Sequence, residues 1–251
     1  MARPLTQMKA TLLFGLLTCL SASAMSAADA QAILKSSDVA RGGGLPGISW
    51  KISVSTMQDG KQQDNDLTVK AVSQSSLVEF LAPARVRGQK LLMTGNTMWF
   101  SQPGVQRPVP ISARQKLSGQ AANGDIAATN YAADYSATIE REEACGAEQC
   151  AVLRLKAANK GVTYDQILYW ISLKRNLGVK AEFYSVSGKL FKSATFVYQN
   201  HISYKGAQIP FISRMVISDA LNAGNVTTLE YSDVRAANIP PSEFNVDLLV
   251  R

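Results

Sequence analysis

Ile48-Ser49-Trp50-Lys51-Ile52-Ser53-Val54-Ser55 alternates apolar with polar residues, the period of a strand with one dry face and one wet face. The pattern continues downstream. The Gln58-Asp59-Gly60 turn leads into Leu67-Thr68-Val69-Lys70-Ala71 and then Ser76-Leu77-Val78-Glu79-Phe80-Leu81. Gly95-Asn96 separates Lys90-Leu91-Leu92-Met93 from Met98-Trp99-Phe100, which reads as a hairpin. In the second half, residues 135–140, 151–156, 179–184, 190–198, 211–217 and 226–231 read as strands, as does Ile167-Leu168-Tyr169-Trp170-Ile171. Turns are expected at Asn176-Leu177-Gly178 and Ser187-Gly188, and Pro240-Pro241 stops regular structure before the tail. Ten or eleven strands joined by short turns predict a mainly β (α+β) chain: a single large curved antiparallel sheet with a few covering helices. No linker or internal repeat divides residues 28–251, so one domain is expected there.

Upstream of the first strand the period changes. Residues 28–39 place Ala32, Ile33 and Leu34 beside Val39 in a helical cluster, and Arg41-Gly42-Gly43-Gly44 ends it. Residues 1–27 have the layout of a cleaved signal peptide: Arg3 and Lys9, then an apolar run over residues 12–20, then small residues. The run is about half the ~20 residues needed to span a bilayer, so no membrane-spanning anchor is expected. The chain is therefore expected outside the cytoplasm. Thr18 before Cys19 does not fit a lipidation site, which leaves Cys145 and Cys150 as an even pair able to close a disulfide in an oxidising compartment.

Of the formal charge of +7, Arg3 and Lys9 account for two, so +5 remains after the leader. That excess favours acidic partners such as anionic lipid headgroups, and export argues against nucleic acid. Catalytic signals are missing. No Gly-x-Ser-x-Gly, His-Glu-x-x-His or phosphate loop occurs, and the single histidine, His201, lies in a polar stretch that reads as a solvated turn. No catalytic residue, metal site or cofactor is assigned. One segment breaks the strand pattern. Pro103, Pro108 and Pro110 rule out a central strand, and residues 111–135 are small and polar, with a helix beginning near Ser112 expected over residues 112–117. A stretch this long suits a lid, a binding loop or a helical cover.

Bulky side chains are then left to line the sheet: Trp50, Phe80, Leu92, Trp99, Trp170, Phe183 and Phe196. Core packing accounts for any one of them taken alone. Taken together on a sheet with little helical cover, they suggest the wall of an apolar cavity for an acyl chain.

The run from Val78-Glu79-Phe80-Leu81-Ala82-Pro83 through Gly88-Gln89-Lys90-Leu91-Leu92-Met93 to Asn96-Thr97-Met98-Trp99-Phe100 resembles the outer-membrane lipoprotein-sorting family, the LolA-like periplasmic proteins. Tyr164-Asp165-Gln166-Ile167, Lys180-Ala181-Glu182-Phe183-Tyr184, Gly188-Lys189-Leu190-Phe191-Lys192 and the closing Phe244-Asn245-Val246-Asp247-Leu248-Leu249 are similar in the same order. The resemblance implies a half-barrel with helices as a lid over a hydrophobic cavity. It also implies a non-enzymatic binding protein that moves an acylated lipid or lipoprotein, with an inner-membrane transporter and an outer-membrane acceptor as partners. The alternative is an envelope sensor or transporter accessory that acts through protein contacts.

Overall fold

The computed structural model describes residues 27–128 and 130–250. The expected leader lies outside them but for its last residue. Helix α1 (Ala27–Asp38) runs into a 3-10 turn (Val39–Arg41) and precedes β1 (Ile48–Gln58), β2 (Lys61–Val72), β3 (Ser75–Ala82), β4 (Lys90–Thr94), β5 (Thr97–Ser101) and β6 (Val109–Ile111). The middle of the chain forms β7 (Lys116–Ser118), β8 (Ala121–Ala122), α2 (Asn123–Ala127) and α3 (Tyr131–Asp134). It continues through β9 (Tyr135–Cys145), β10 (Glu148–Ala157), β11 (Gln166–Ser172), β12 (Leu177–Tyr184) and β13 (Leu190–Val197). The last strands are β14 (Asn200–Tyr204), β15 (Ala207–Phe211), β16 (Arg214–Asp219) and β17 (Val226–Ala236).

Thirteen strands form one antiparallel sheet in the order β6-β5-β4-β3-β2-β1-β17-β16-β13-β12-β11-β10-β9. Thirteen strands stand where ten or eleven are expected, and one of the additions is the proline-bearing β6, which pairs at one edge. Pro110 lacks an amide donor and is tolerated there, opposite Trp99. The first turn shows how sequence sets register. Asp59 and Gly60 take φ of 50° and 76°, a backbone that suits the right-handed twist of the flanking strands, and Gln58 then pairs with Lys61.

With register set, alternation sorts the faces. On β1, Ile48, Trp50, Ile52 and Val54 are buried while Lys51, Ser53 and Ser55 are exposed. Their neighbours continue the inner face: Val69 beside Trp50, Val78 beside Val69, Leu91 beside Val78 and Phe100 beside Leu91. In the other direction Leu229 follows Val54, then Met215 and Phe196. The sheet curls enough that its two halves touch. Arg114, just after β6, pairs with Asp165 in the β10–β11 loop at 2.7 Å, and Gly161 of that loop packs on Asn96 of the β4–β5 turn.

Helix α1 covers part of the inner face with Ala30 and Leu34, both fully buried. Its Gln31 donates to the carbonyls of Ala132 (2.7 Å) and Tyr135 (3.1 Å) and accepts the Ala137 N–H (3.0 Å), which ties α1 to α3 and β9. β14 and β15 form a ribbon apart from the main sheet, and its Ile202 and Phe211 are also fully buried. His201, expected in a turn, lies exposed on β14. The helix expected over residues 112–117 does not form. The Ser112 hydroxyl accepts the Arg114 N–H and the Ser112 carbonyl accepts the Gln115 N–H, so the serine closes a turn and the chain enters β7. After β17 the tail makes two 3-10 turns, Pro241–Phe244 and Val246–Leu248, and lies against the outer face of the sheet.

Candidate functional site

The seven side chains expected to line one cavity divide between two faces. Trp50, Phe80, Phe183 and Phe196 belong to the main core on the inner face. Leu92 and Trp99 point outward and pack beneath Ile239, Phe244 and Leu249 of the tail. Trp170 also points outward, into a cluster with Cys150, Val152 and Leu168, with the Lys180 ammonium 4.2 Å from its ring centroid. The reason is the two-residue period. A Gly95-Asn96 turn pairs Thr94 with Thr97, and therefore Leu92 with Trp99 and Leu91 with Phe100, so Leu92 and Trp99 share the face that Leu91 and Phe100 do not. Cys145 and Cys150 are disulfide-bonded across the β9–β10 hairpin, with Cα atoms 5.9 Å apart.

Three of the four inward residues are covered by the protein's own rings. Phe211 from the β14–β15 ribbon lies 5.7 Å from Trp50, Tyr164 stacks on Phe183 at 4.0 Å, and Tyr169 meets Phe196 edge-on at 5.9 Å. Arg41 enters the same interior, and its guanidinium lies 4.1 Å from the centroid of the Tyr131 ring. Asp38 follows one helical turn before it. Its Oδ2 accepts the Ala132 N–H at 2.7 Å and so fixes α3 to the end of α1. Burial pushes the Asp38 carboxyl up to about 7, against the Ala132 hydrogen bond and the Arg41 charge, which both pull it down.

The fourth inward residue, Phe80, belongs to the core but also lines a cleft. A cleft of about 480 Å³ lies between the inner face of β2–β5 and the chain that follows β6. Its apolar floor and walls are Phe80, Val86, Leu91, Phe100, Ile111 and Leu117. Phe100, Ile111 and Leu117 are only half-buried. Sequence reasoning passed over all of these but Phe80. The signal that finds Leu91 and Phe100 is the hairpin register just described, since both sit on the face of Val78 and Phe80.

The far wall is held by polar contacts. Gly119, at a φ of 52° that only a residue without Cβ adopts freely, lets the β7–β8 turn close on Thr56 and Thr227. Thr56 Oγ1 lies 3.1 Å from Ser118 Oγ and 3.2 Å from Thr227 Oγ1, and Thr227 Oγ1 accepts the Gln120 N–H at 2.8 Å. The buried Asp125 of α2 accepts from Tyr164 Oη at 2.7 Å and from the Ala122 N–H at 2.8 Å, and Lys192 Nζ stands 3.8 Å away. Lys192 also donates to the Gln120 carbonyl at 2.7 Å. Burial pulls its ammonium below the usual lysine range, and Asp125 partly restores it. Residues 111–128 and 130–135 are thus a cover fastened to β1, β13 and β17, with the cleft left along its β2–β5 side.

Among the described residues no group of three His, Cys, Asp or Glu side chains could hold a metal ion, and no helix is long and apolar enough to cross a membrane. The cleft can shelter apolar matter, and none of its lining residues is a carboxylate, cysteine or histidine.

A family model described only as an uncharacterized protein matches residues 72–251. No curated protein matches the chain. Among solved structures, an outer membrane lipoprotein-sorting domain from Vibrio parahaemolyticus superposes with a TM-score of 0.76 at 21% identity, over 90% of this chain and 100% of that one. A DUF1329 family protein from Desulfovibrio piger gives 0.71 at 18% identity, over 88% and 98% of the two chains. These two likenesses show the fold. A LolA superfamily protein from Nitrosomonas europaea is 34% identical, with a TM-score of 0.77 over 87% of this chain and 98% of that one. Identity at that level across nearly the whole of the relative, on the same open antiparallel sheet, means that the chain belongs to the LolA superfamily.

Proposed function

We propose that this protein is an exported, periplasmic, non-enzymatic carrier that holds an acyl group in the β2–β5 cleft and moves it through the envelope. The observation that carries the reading is the cleft: an apolar floor on the buried Phe80 and Leu91, with half-buried walls from Val86, Phe100, Ile111 and Leu117, in a superfamily fold whose relatives include a lipoprotein-sorting domain. The driving force is ample. Each methylene removed from water contributes about 0.8 kcal/mol, so a long chain strongly favours the cleft over the aqueous space between membranes. The signal-like residues 1–27 and the oxidised Cys145–Cys150 pair fit the same compartment. Delivery between membranes would need a donor in the inner membrane and an acceptor in the outer membrane.

The reading is tested by mass spectrometry of organic extracts from protein purified mildly from the bacterial envelope, beside an unrelated periplasmic control. Enrichment of a defined acyl lipid or lipopeptide supports a carrier. An extract identical to the control removes the acyl-carrier reading and favours the sensor or accessory role through protein contacts.

A further inference from the structure

The size and rim of the cleft define its ligand more narrowly than the fold does, granted the preceding reading that an acyl chain enters it. A methylene fills about the volume of a water molecule in the liquid, roughly 30 Å³, so the volume of the cleft matches about sixteen carbons, one long acyl chain. The rest of the inner face adds little, because Phe211, Tyr164 and Tyr169 cover Trp50, Phe183 and Phe196.

The polar part of the lining is distinctive. It consists of five carboxamides (Gln63, Asn65, Gln89, Gln115 and Asn123) and Lys116, the one charged residue of the lining, which is exposed on β7. Gln115 uses its Oε1 to accept the Ser112 N–H at 2.9 Å, which leaves its NH2 group as a donor beside the ammonium. Asn65 and Asn123 are buried and donate to Ser118 Oγ and the Ser112 carbonyl, so Gln63, Gln89, Gln115 and Lys116 form the accessible rim, where the Lys116 charge also acts on Asp219. Amide donors and one cation are complementary to a small anionic group that accepts hydrogen bonds. A neutral head would gain the carboxamides but not the lysine.

We infer that the cleft is a site for a single-chain anionic amphiphile: one acyl chain on Phe80, Leu91 and Phe100, and a carboxylate or phosphate at Lys116 and Gln115. A free fatty acid and a lysophospholipid share that chemistry. A ligand with two or three chains would leave the extra chains against water, since the cleft has apolar wall for one.

The test is calorimetric titration of the chain lacking residues 1–27, below each ligand's micelle concentration, with palmitate, a palmitoyl lysophosphatidylglycerol, a neutral monopalmitoyl glycerol and a triacylated lipopeptide. The expected result is 1:1 binding of the anionic single-chain ligands, at least tenfold tighter than the lipopeptide. The ratio between palmitate and the lysophospholipid tells carboxylate from phosphate. Lys116→Gln, at an exposed position, should weaken the anionic ligands several-fold and leave the neutral glycerol unchanged. Equal or tighter binding of the lipopeptide would overturn the single-chain inference while leaving the carrier reading standing. An unchanged affinity in Lys116→Gln would overturn the anionic head. Binding of none of the four would remove both the inference and the carrier reading beneath it.

Discussion

Trp50 on β1 and Phe211 on β15 meet with ring centroids 5.7 Å apart and planes inclined at 58°. The contact joins a strand beside the middle of the sheet to a ribbon that is not part of it, and it fills the interior where a wider cavity would otherwise lie. The ribbon is thus part of the core. Phe211→Ala removes a fully buried ring from this joint, and truncations of that kind cost about 3–5 kcal/mol. Urea unfolding should show that loss. A change below about 1 kcal/mol would mean that the ribbon is a surface ornament.

The junction of α1 with α3 makes stability depend on pH. Asp38 has a folded pKa of about 7 against an ordinary 3.8, because burial disfavours its charge. A carboxyl raised in this way contributes stability that is fully present below about pH 4 and is lost as pH rises through about 7. The loss is on the order of 4 kcal/mol. Asp134, pushed up to about 6 by burial, acts in the same direction. Asp38→Asn keeps an acceptor for the Ala132 N–H and removes the titration. Unfolding midpoints between pH 5 and pH 8 should therefore fall more steeply for the parent than for the variant, which keeps only the Asp134 titration; parallel curves would contradict the assignment.

The disulfide closes a short loop on the outer face, remote from the cleft. Replacing Cys145 and Cys150 together by serine should cost at most about 2 kcal/mol, the chain-entropy value for so short a loop. Ligand affinity should be unchanged. Loss of folding would show that Cys150, fully buried beside Val152 and Trp170, anchors more than its hairpin.

Much of this architecture is legible in the residues. The alternation from Ile48 to Ser55 and the Gly95-Asn96 turn predict strands that the structure contains, in the expected register. Alternation does not say what covers each face. Leu91-Leu92-Met93 and Ile167-Leu168-Tyr169-Trp170-Ile171 are apolar on both faces, which is the mark of a strand buried twice. Read that way, Leu92, Trp99 and Trp170 are free to face outward. Their covers come from far along the chain, the tail at Ile239, Phe244 and Leu249 for the first two. The ribbon was harder to foresee. The residues around His201 read as a solvated turn and 211–217 as a single strand, and only tertiary packing places Ile202 and Phe211 under Trp50 and its neighbours. Ser112 closes a turn in place of the expected helix for a local reason, since a serine hydroxyl serves a turn as readily as a helix cap.

The central claim is that an acyl chain lies on Phe80, Leu91 and Phe100. Photocrosslinking with a diazirine-bearing palmitate, followed by peptide mass spectrometry, tests it most directly. Label should concentrate in the peptides carrying residues 80–117, be competed by unlabelled palmitate, and fall at least tenfold in Phe100→Asp, whose half-buried position allows the fold to survive. Saturable labelling centred on Trp50, Phe183 or Phe196, or labelling unaffected by Phe100→Asp in a folded variant, would contradict the account.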